Sequence, residues 1–331
     1  GTTYYYAGAP TDNWVKFGKW SEDTPDVYFG TNYDANSIDY AKEFLTKEEC
    51  DQVYNNCRLI SRAGKDMYWR IIRINGNGSL RLIYAGTTPV HLNDDPFIGV
   101  SAFNNNVDDN AYVGYMYGTP GSSTYEETHA NINDSTMKTF IDEWYEQNML
   151  PYSSKIDTES GFCADKRISS LYSSNPQAGI GQTGTGYYAS GIISYLLDLP
   201  SLKCTNTNDY FTVGTSSIGN KALIYPVALI NIMEAIFAGY ATRDENFEEH
   251  YVMNQDMYLY TEYLFRTMTP DAFRGELTAA IWHINSHADG TGYISSSWAI
   301  MYETVRPVLN LKSDITFTSG DGTAENPFVV N

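Results

Sequence analysis

The 331-residue sequence predicts an α+β fold with a central antiparallel sheet, two or three helices and long loops. Two periodicities carry that reading. Residues 67–74 and 79–84 are runs of aliphatic and aromatic residues joined by Asn75-Gly76-Asn77-Gly78, which accept positive φ, so the pair reads as a β-hairpin. Met137, Phe140, Ile141, Trp144 and Tyr145 instead recur every three or four residues, the apolar stripe of a helix laid on a sheet.

In chain order, two short strands are expected around Tyr4-Tyr5-Tyr6 and Trp14-Val15-Lys16-Phe17. Thr46-Lys47-Glu48-Glu49 has the form of a capping box and opens a helix carrying Cys50, Val53, Tyr54 and Cys57. In the hairpin, alternation sets Trp69, Ile71 and Arg73 on one face and Arg70, Ile72 and Ile74 on the other. Apolar residues on both faces place it centrally. Residues 85–132 are rich in Asn, Asp, Gly, Thr and Tyr, and 112–117 is their strand-like run. Asn104-Asn105-Asn106 and Asp108-Asp109-Asn110 offer oxygens to Ca²⁺, but the spacing and closing Glu of an EF-hand are missing. They read as solvated turns, and no metal or cofactor is expected.

Asn133 or Asp134 is expected to cap the 137–145 helix, and Pro151 to end it. Residues 152–220 read as loop, with a short apolar piece at 192–197. The glycines of 179–186 lack the Lys-Ser/Thr of a phosphate-binding loop. After residues 222–230, Asn231 and Glu234 form a second capping box, and its helix stops at Gly239. Residues 280–286 alternate as a strand. The chain divides into 1–66, strands and a Cys-containing helical segment packed on the main domain, and 67–331, the main domain with a long insertion at 85–220.

Composition bounds the function classes. With 42% hydrophobic and 15% aromatic residues the chain can build a sizeable core. A net charge of -19, with 21 basic residues forming no cluster, argues against nucleic-acid binding. No run of 18 apolar residues occurs, so any membrane attachment would run through a segment absent from this chain. The chain starts at Gly1 and reads as a processed ectodomain or as a chain trimmed of its export signal or anchor. Its 28 Tyr, with abundant Asn, Ser, Thr and Gly, fit an extracellular recognition protein, and fit a Tyr-rich β core equally well.

The four Cys allow three pairings, of which Cys50 with Cys57 and Cys163 with Cys204 is preferred. An unbroken helix would separate Cys50 and Cys57 by about 10.5 Å, beyond the roughly 7 Å a disulfide spans. Either the helix breaks at Asn55-Asn56 or these thiols are unpaired.

Four segments carry a resemblance: YWRIIRINGNGSLRLIY (68–84), the stretch 101–145 that begins SAFNNNVDDNAYVGYMY, KALIYPVALINIMEAIFAGY (221–240), and 305–330, which begins VRPVLNLKSDITF. Together they resemble a family of bacterial surface proteins common in gut Gram-positive species. The C-terminal half is similar to C-type-lectin-like folds of the formylglycine-generating-enzyme and major-paralogous-domain kind. That resemblance implies a C-type-lectin-like domain whose base pairs residues 69–74 with 305–309. Pro270, Trp282, Ile284, Gly290 and Arg306-Pro307 fit the family framework, while Leu264, Phe265, Thr269 and Thr304 depart from it.

Between those framework positions stand Phe265, Arg266, Asp271, Phe273, Arg274, His283, Asn285, His287, Tyr293, Trp298 and Tyr302. These aromatic, basic and amide side chains resemble the displayed face of proteins diversified by retroelements. They are the expected ligand-binding set, for a protein or glycan on a host or neighbouring cell. Alternation in 280–286 puts Trp282 and Ile284 on one face and Ile281, His283 and Asn285 on the other; Trp282 itself reads as core. No enzyme motif emerges. The five His fall in no metal or triad pattern, no Cys follows Cys204 to serve an oxidase, and Glu248-Glu249-His250 reads as a turn. The expected function is an adhesin-like protein on the cell surface, and the rival is a pilus or surface-layer subunit.

Overall fold

The computed structural model describes residues 1–34, 36–169, 186–189, 200–240, 255–273, 278–286 and 290–331. The apolar piece 192–197, residues 179–185 of the glycine run and Glu248-Glu249-His250 lie outside them. The chain opens with β1 (Tyr4–Tyr5), β2 (Trp14–Lys19), β3 (Val27–Thr31), β4 (Ala41–Phe44), helix α1 (Lys47–Asp51) and β5 (Arg58–Ile60). The hairpin follows as β6 (Asp66–Ile74) and β7 (Leu80–Gly86), then β8 (Val100–Ala102) and β9 (Met116–Tyr117). Next come α2 (Tyr125–Thr128), β10 (Asn133–Asp134), α3 (Thr136–Asn148), β11 (Phe162–Cys163), β12 (Gly186–Tyr187), β13 (Tyr210–Phe211), β14 (Val227–Leu229) and α4 (Ile232–Phe237). The C-terminal part supplies β15 (Phe265–Phe273), β16 (Ala279–Ser286), β17 (Gly292–Trp298), β18 (Tyr302–Thr304), β19 (Pro307–Leu311) and β20 (Phe328–Val330). The fold is mixed α+β, mostly sheet.

One sheet runs β14-β19-β7-β6-β2-β20, with β1 added beside β6. The hairpin is therefore central, as its two-sided apolar pattern requires. A bulge between Ile71 and Arg73 interrupts the alternation, and Arg70, Ile71 and Ile72 are all buried. The expected base pairing is corrected: β19 pairs with β7, Leu309 opposite Leu82, not with β6. The other side of β6 is taken by β2, which also pairs in parallel with β20. Strand β2 is thus interior to the main sheet, and a boundary at residue 66 does not separate two sheets. Residues 27–60 alone build a small sheet, β4-β3-β5, around Phe29, Tyr40 and Ile60.

Helix α3 lays Met137, Ile141, Trp144 and Tyr145 on the main sheet. Trp144 meets Trp20, Trp69 and Tyr84 at ring separations of 6.1, 6.4 and 6.4 Å. Burying each such side chain contributes about 1.5–3 kcal/mol. Its cap is Ser135 rather than Asn133 or Asp134, which are extended and pair with β9. Pro151 lies in a following 3₁₀ turn, beyond the helix end at Asn148.

The capping boxes at Thr46/Glu49 and Asn231/Glu234 both form. Helix α1 ends at Asp51, earlier than Asn55-Asn56, so the chain turns back and Cys50 bonds Cys57 at a Cα separation of 6.0 Å. Cys163 bonds Cys204. Two disulfides fit an oxidising, extracellular environment. Among the described residues no helix is long and apolar enough to cross a membrane. Within 112–117 only Met116–Tyr117 is extended; residues Asn110–Val113 form a 3₁₀ turn capped by Asp109. Asn104, Asp109 and Asn110 are buried, so the solvated-turn reading holds only for Asn105, Asn106 and Asp108.

Candidate functional site

Strand β15 is buried along its whole length because its sheet, β17-β16-β15-β18-β8, is covered on both faces. That burial corrects the displayed-face reading for six residues: Phe265, Arg266, Asp271, Phe273, His283 and Asn285. Arg274 and His287 lie outside the described residues. Tyr293 and Tyr302 are half-buried and Trp298 is exposed, so these three reach solvent. Pro270, which cannot donate to a ladder, sits between two register shifts in the β15–β16 pairing.

The buried polar residues hold one another. Arg266 donates to Ser297 Oγ at 2.7 Å and to the carbonyls of Trp298 and Met301, and lies 2.8 Å from Glu303. His283 Nδ1 lies 3.0 Å from the same Glu303 oxygen, which also accepts the Ser297 hydroxyl. Burial works to raise the Glu303 carboxyl, but Arg266, His283 and Ser297 together hold it below its usual range. Asp271 accepts from Ser296 at 2.6 Å, and Asn285 donates to the Tyr293 hydroxyl at 2.8 Å. The guanidinium of Arg306 stacks on Phe265 at 4.7 Å. Such side chains tie β15, β16, β17 and β18 together; they are struts rather than surface anchors.

Tyr302 enters a different arrangement. Strand β18 pairs with β8, Tyr302 opposite Ala102, which brings the tyrosine beside the loop 103–107. Phe103 is buried, and its carbonyl accepts from Met137 N at 3.0 Å, fixing the loop to the start of α3. Asn104 N donates to the Ala299 carbonyl at 2.9 Å. Between them lies a cleft of about 500 Å³ lined by Asn104, Asn105, Asn106, Tyr117, Asp134, Phe140 and Tyr302, among others. Gly99 leaves room for one wall: a Cβ there would sit 2.7 Å from the Phe140 ring.

In this cleft Tyr117, Phe140 and Tyr302 are half-buried rings, and Asn105 and Asn106 are exposed amides. The Lys42 ammonium stands 5.5 Å from the Tyr302 centroid, and Tyr112 braces Tyr117 edge-on at 5.3 Å. Asn104 is 3% exposed; its Oδ1 accepts from Asn105 N, while its Nδ2 has no partner among the described residues. Asp134 is held by Lys138 at 3.1 Å. Rings able to stack and amides able to exchange hydrogen bonds suit a polyhydroxylated ligand. Of the predicted set only Tyr302 belongs here. The Asn104-Asn105-Asn106 run was visible in the sequence, but nothing there ties it to Phe140 or Tyr302. Among the described residues no three His, Cys, Asp or Glu converge as a metal-binding group.

No family model, no curated protein and no solved structure matches this chain.

Proposed function

We propose that this chain is an extracellular, adhesin-like ligand-binding protein of the bacterial cell surface, and that the Tyr302 cleft takes a glycan chain. The observation that carries the reading is the convergence of three half-buried rings and two exposed asparagines on one cleft, above the buried Asn104 amide. Sugar C–H faces stack on aromatic rings, and amides match paired hydroxyls. The two disulfides support export. The C-type-lectin-like scaffold and the likeness to gut surface proteins rest on the sequence resemblance; the scaffold reading is supported by the N-terminal strand β2 pairing in parallel with the short C-terminal strand β20. Retroelement diversification, in this reading, acts on Tyr293, Trp298 and Tyr302, which reach solvent.

The test is a screen of the native chain and of Asn105→Ala/Tyr302→Ala on glycan arrays and host-cell extracts. A glycan bound by the first and lost by the second is the expected result. Binding that survives both changes places the site elsewhere, and concentration-dependent polymerisation without any ligand favours a structural subunit.

A further inference from the structure

A second cleft, of about 600 Å³, opens beside the β6–β7 turn and the Cys163–Cys204 disulfide, and shares no residue with the first. Arg73 forms part of its wall, with 12% of its side chain exposed. Behind it an unusual charge count is buried. Glu234 Oε1 lies 2.5 Å from Arg81 Nε and 3.3 Å from Arg73 Nη2, and the Arg81 and Glu234 side chains are fully buried. The other Glu234 oxygen accepts from Asn231 N in the α4 cap.

Two guanidiniums therefore share one carboxylate, and among the described residues neither has another acidic ion-pair partner. Arg81 also donates to the Gly161 carbonyl at 2.9 Å and to Asn310 Oδ1 at 3.5 Å, and stands over the Phe162 ring at 4.6 Å. Arg73 Nε and Arg81 Nη2 have no hydrogen-bond partner among the described residues. Burial, then the repulsion of Arg73, outweigh Glu234 and bring the Arg81 pKa down to about 10. An excess cation inside a protein of net charge -19 is costly unless a counter-charge reaches it.

The cleft gives that counter-charge access and surrounds it with hydroxyl-matching groups. Exposed Lys203 adds a second cation on the rim. Glu159, the acid on the wall, is turned to Ser216 and Ser217. Asn77 and Ser160 bond each other at 3.0 Å, and the Tyr210 hydroxyl accepts from Gly161 N at 2.8 Å, leaving its own proton to donate. We propose that this cleft binds a carboxylate-bearing sugar, its carboxylate on Arg73 and Lys203 and its hydroxyls on Asn75, Asn77, Ser160 and Tyr210. A sugar is favoured over an acidic peptide because side-chain amides and hydroxyls line the cleft.

Calorimetric titration of the full chain at low salt with glucuronic acid tests this, with its methyl ester, glucose, acetate and an acidic tetrapeptide as comparators. Glucuronate is expected to bind about tenfold or more tighter than the neutral ester and glucose, the effect of a charge-assisted contact. Lys203→Gln, a surface change that leaves the core intact, should weaken it several-fold, and Arg73→Gln should weaken it further. The proposal is overturned if glucuronate gives no heat, if the ester or acetate binds equally well, if the peptide binds more tightly, or if Lys203→Gln and Arg73→Gln both leave affinity unchanged. Tyr302→Ala should leave glucuronate binding untouched, so the two clefts stand or fall separately.

Discussion

Glu303 and Glu234 are both fully buried carboxylates that hold arginines, yet their surroundings differ in charge and in closure. Glu303 serves one guanidinium, one imidazole and one hydroxyl, all within the β15–β18 layer, and Arg266 finds further acceptors in the Trp298 and Met301 carbonyls. Glu234 is divided between two guanidiniums, and one of them borders open space. The first cluster is closed and balanced in charge, one carboxylate to one guanidinium, and it fixes strand positions although Arg266 Nε and Glu303 Oε2 have no hydrogen-bond partner among the described residues. An open one with a surplus charge leaves an electrostatic demand that a ligand can meet. The contrast teaches that a buried arginine reports function through the charge balance around it and through whether open space reaches it.

The sharpest way to break this comparison is to remove the closed carboxylate. Glu303→Gln leaves Arg266 charged and unpaired in a fully buried layer, and is expected to cost about 3–5 kcal/mol, read as a lower urea midpoint at unchanged slope. An effect below about 1 kcal/mol, the ordinary range for exposed pairs, would show that the cluster is not a structural tie.

Arg266, His283, Ser297 and Glu303 also explain how far the sequence could be read. The hairpin, α3 and both capping boxes were legible because local periodicity and spacing determine them. The displayed face was not, because alternation assigns a face and cannot say whether that face is covered. Arg266 and His283 looked like recognition residues only while Glu303, 37 and 20 positions on, stood unassigned as their partner. The two clefts were illegible for the same reason. Phe140 and Tyr302, or Arg73 and Glu234, are joined by the strand order of two sheets and by no local pattern.

The next largest effect separates the two disulfides. Cys163–Cys204 closes a separation of 41 residues against 7 for Cys50–Cys57, and it forms part of the wall of the open cluster. Replacing Cys163 and Cys204 by Ser should cost about 2–4 kcal/mol in thermal unfolding, more than the Cys50/Cys57 pair, since the entropy of loop closure grows with length. Glucuronate binding should fall in the first variant alone. Equal losses of stability would mean that strain or native contacts, not loop length, decide.

Acid sets the Glu303 cluster against a third buried site, His129, whose backbone carbonyl accepts from Lys166 at 2.7 Å, because each loses stability in its own window. Burial, reinforced by Lys166, brings His129 down to about 3, so the unfolded chain takes up its proton from pH 6.5 downward while the native state resists. Stability contributed by this neutral histidine is present above pH 6.5 and is lost as pH falls toward 3, at up to about 1.4 kcal/mol per pH unit. The depressed Glu303 carboxyl contributes above its ordinary 4.5, and loses that contribution as pH falls through its lower native value. The urea midpoint should therefore begin to fall near pH 6.5 and steepen below 4.5. His129→Gln should flatten the first limb and leave the second, while Glu303→Gln should do the reverse.

The smallest stability effect belongs to the residue on which the proposed glycan cleft most depends. Tyr302 is half-buried, and its described ring contact is the Lys42 ammonium, an interaction worth about 0.5–1 kcal/mol at such a site. Its backbone, which holds β18 to β8, is kept in Tyr302→Ala. The variant should melt within a few degrees of the parent, and its loss of glycan affinity should exceed tenfold, the share of a central aromatic anchor. That combination, little stability for much binding, is the opposite of what Glu303→Gln should give. If Tyr302→Ala instead destabilises strongly and leaves binding unchanged, Tyr302 belongs with Arg266 among the struts, and the cleft beside it is a seam between β8 and α3.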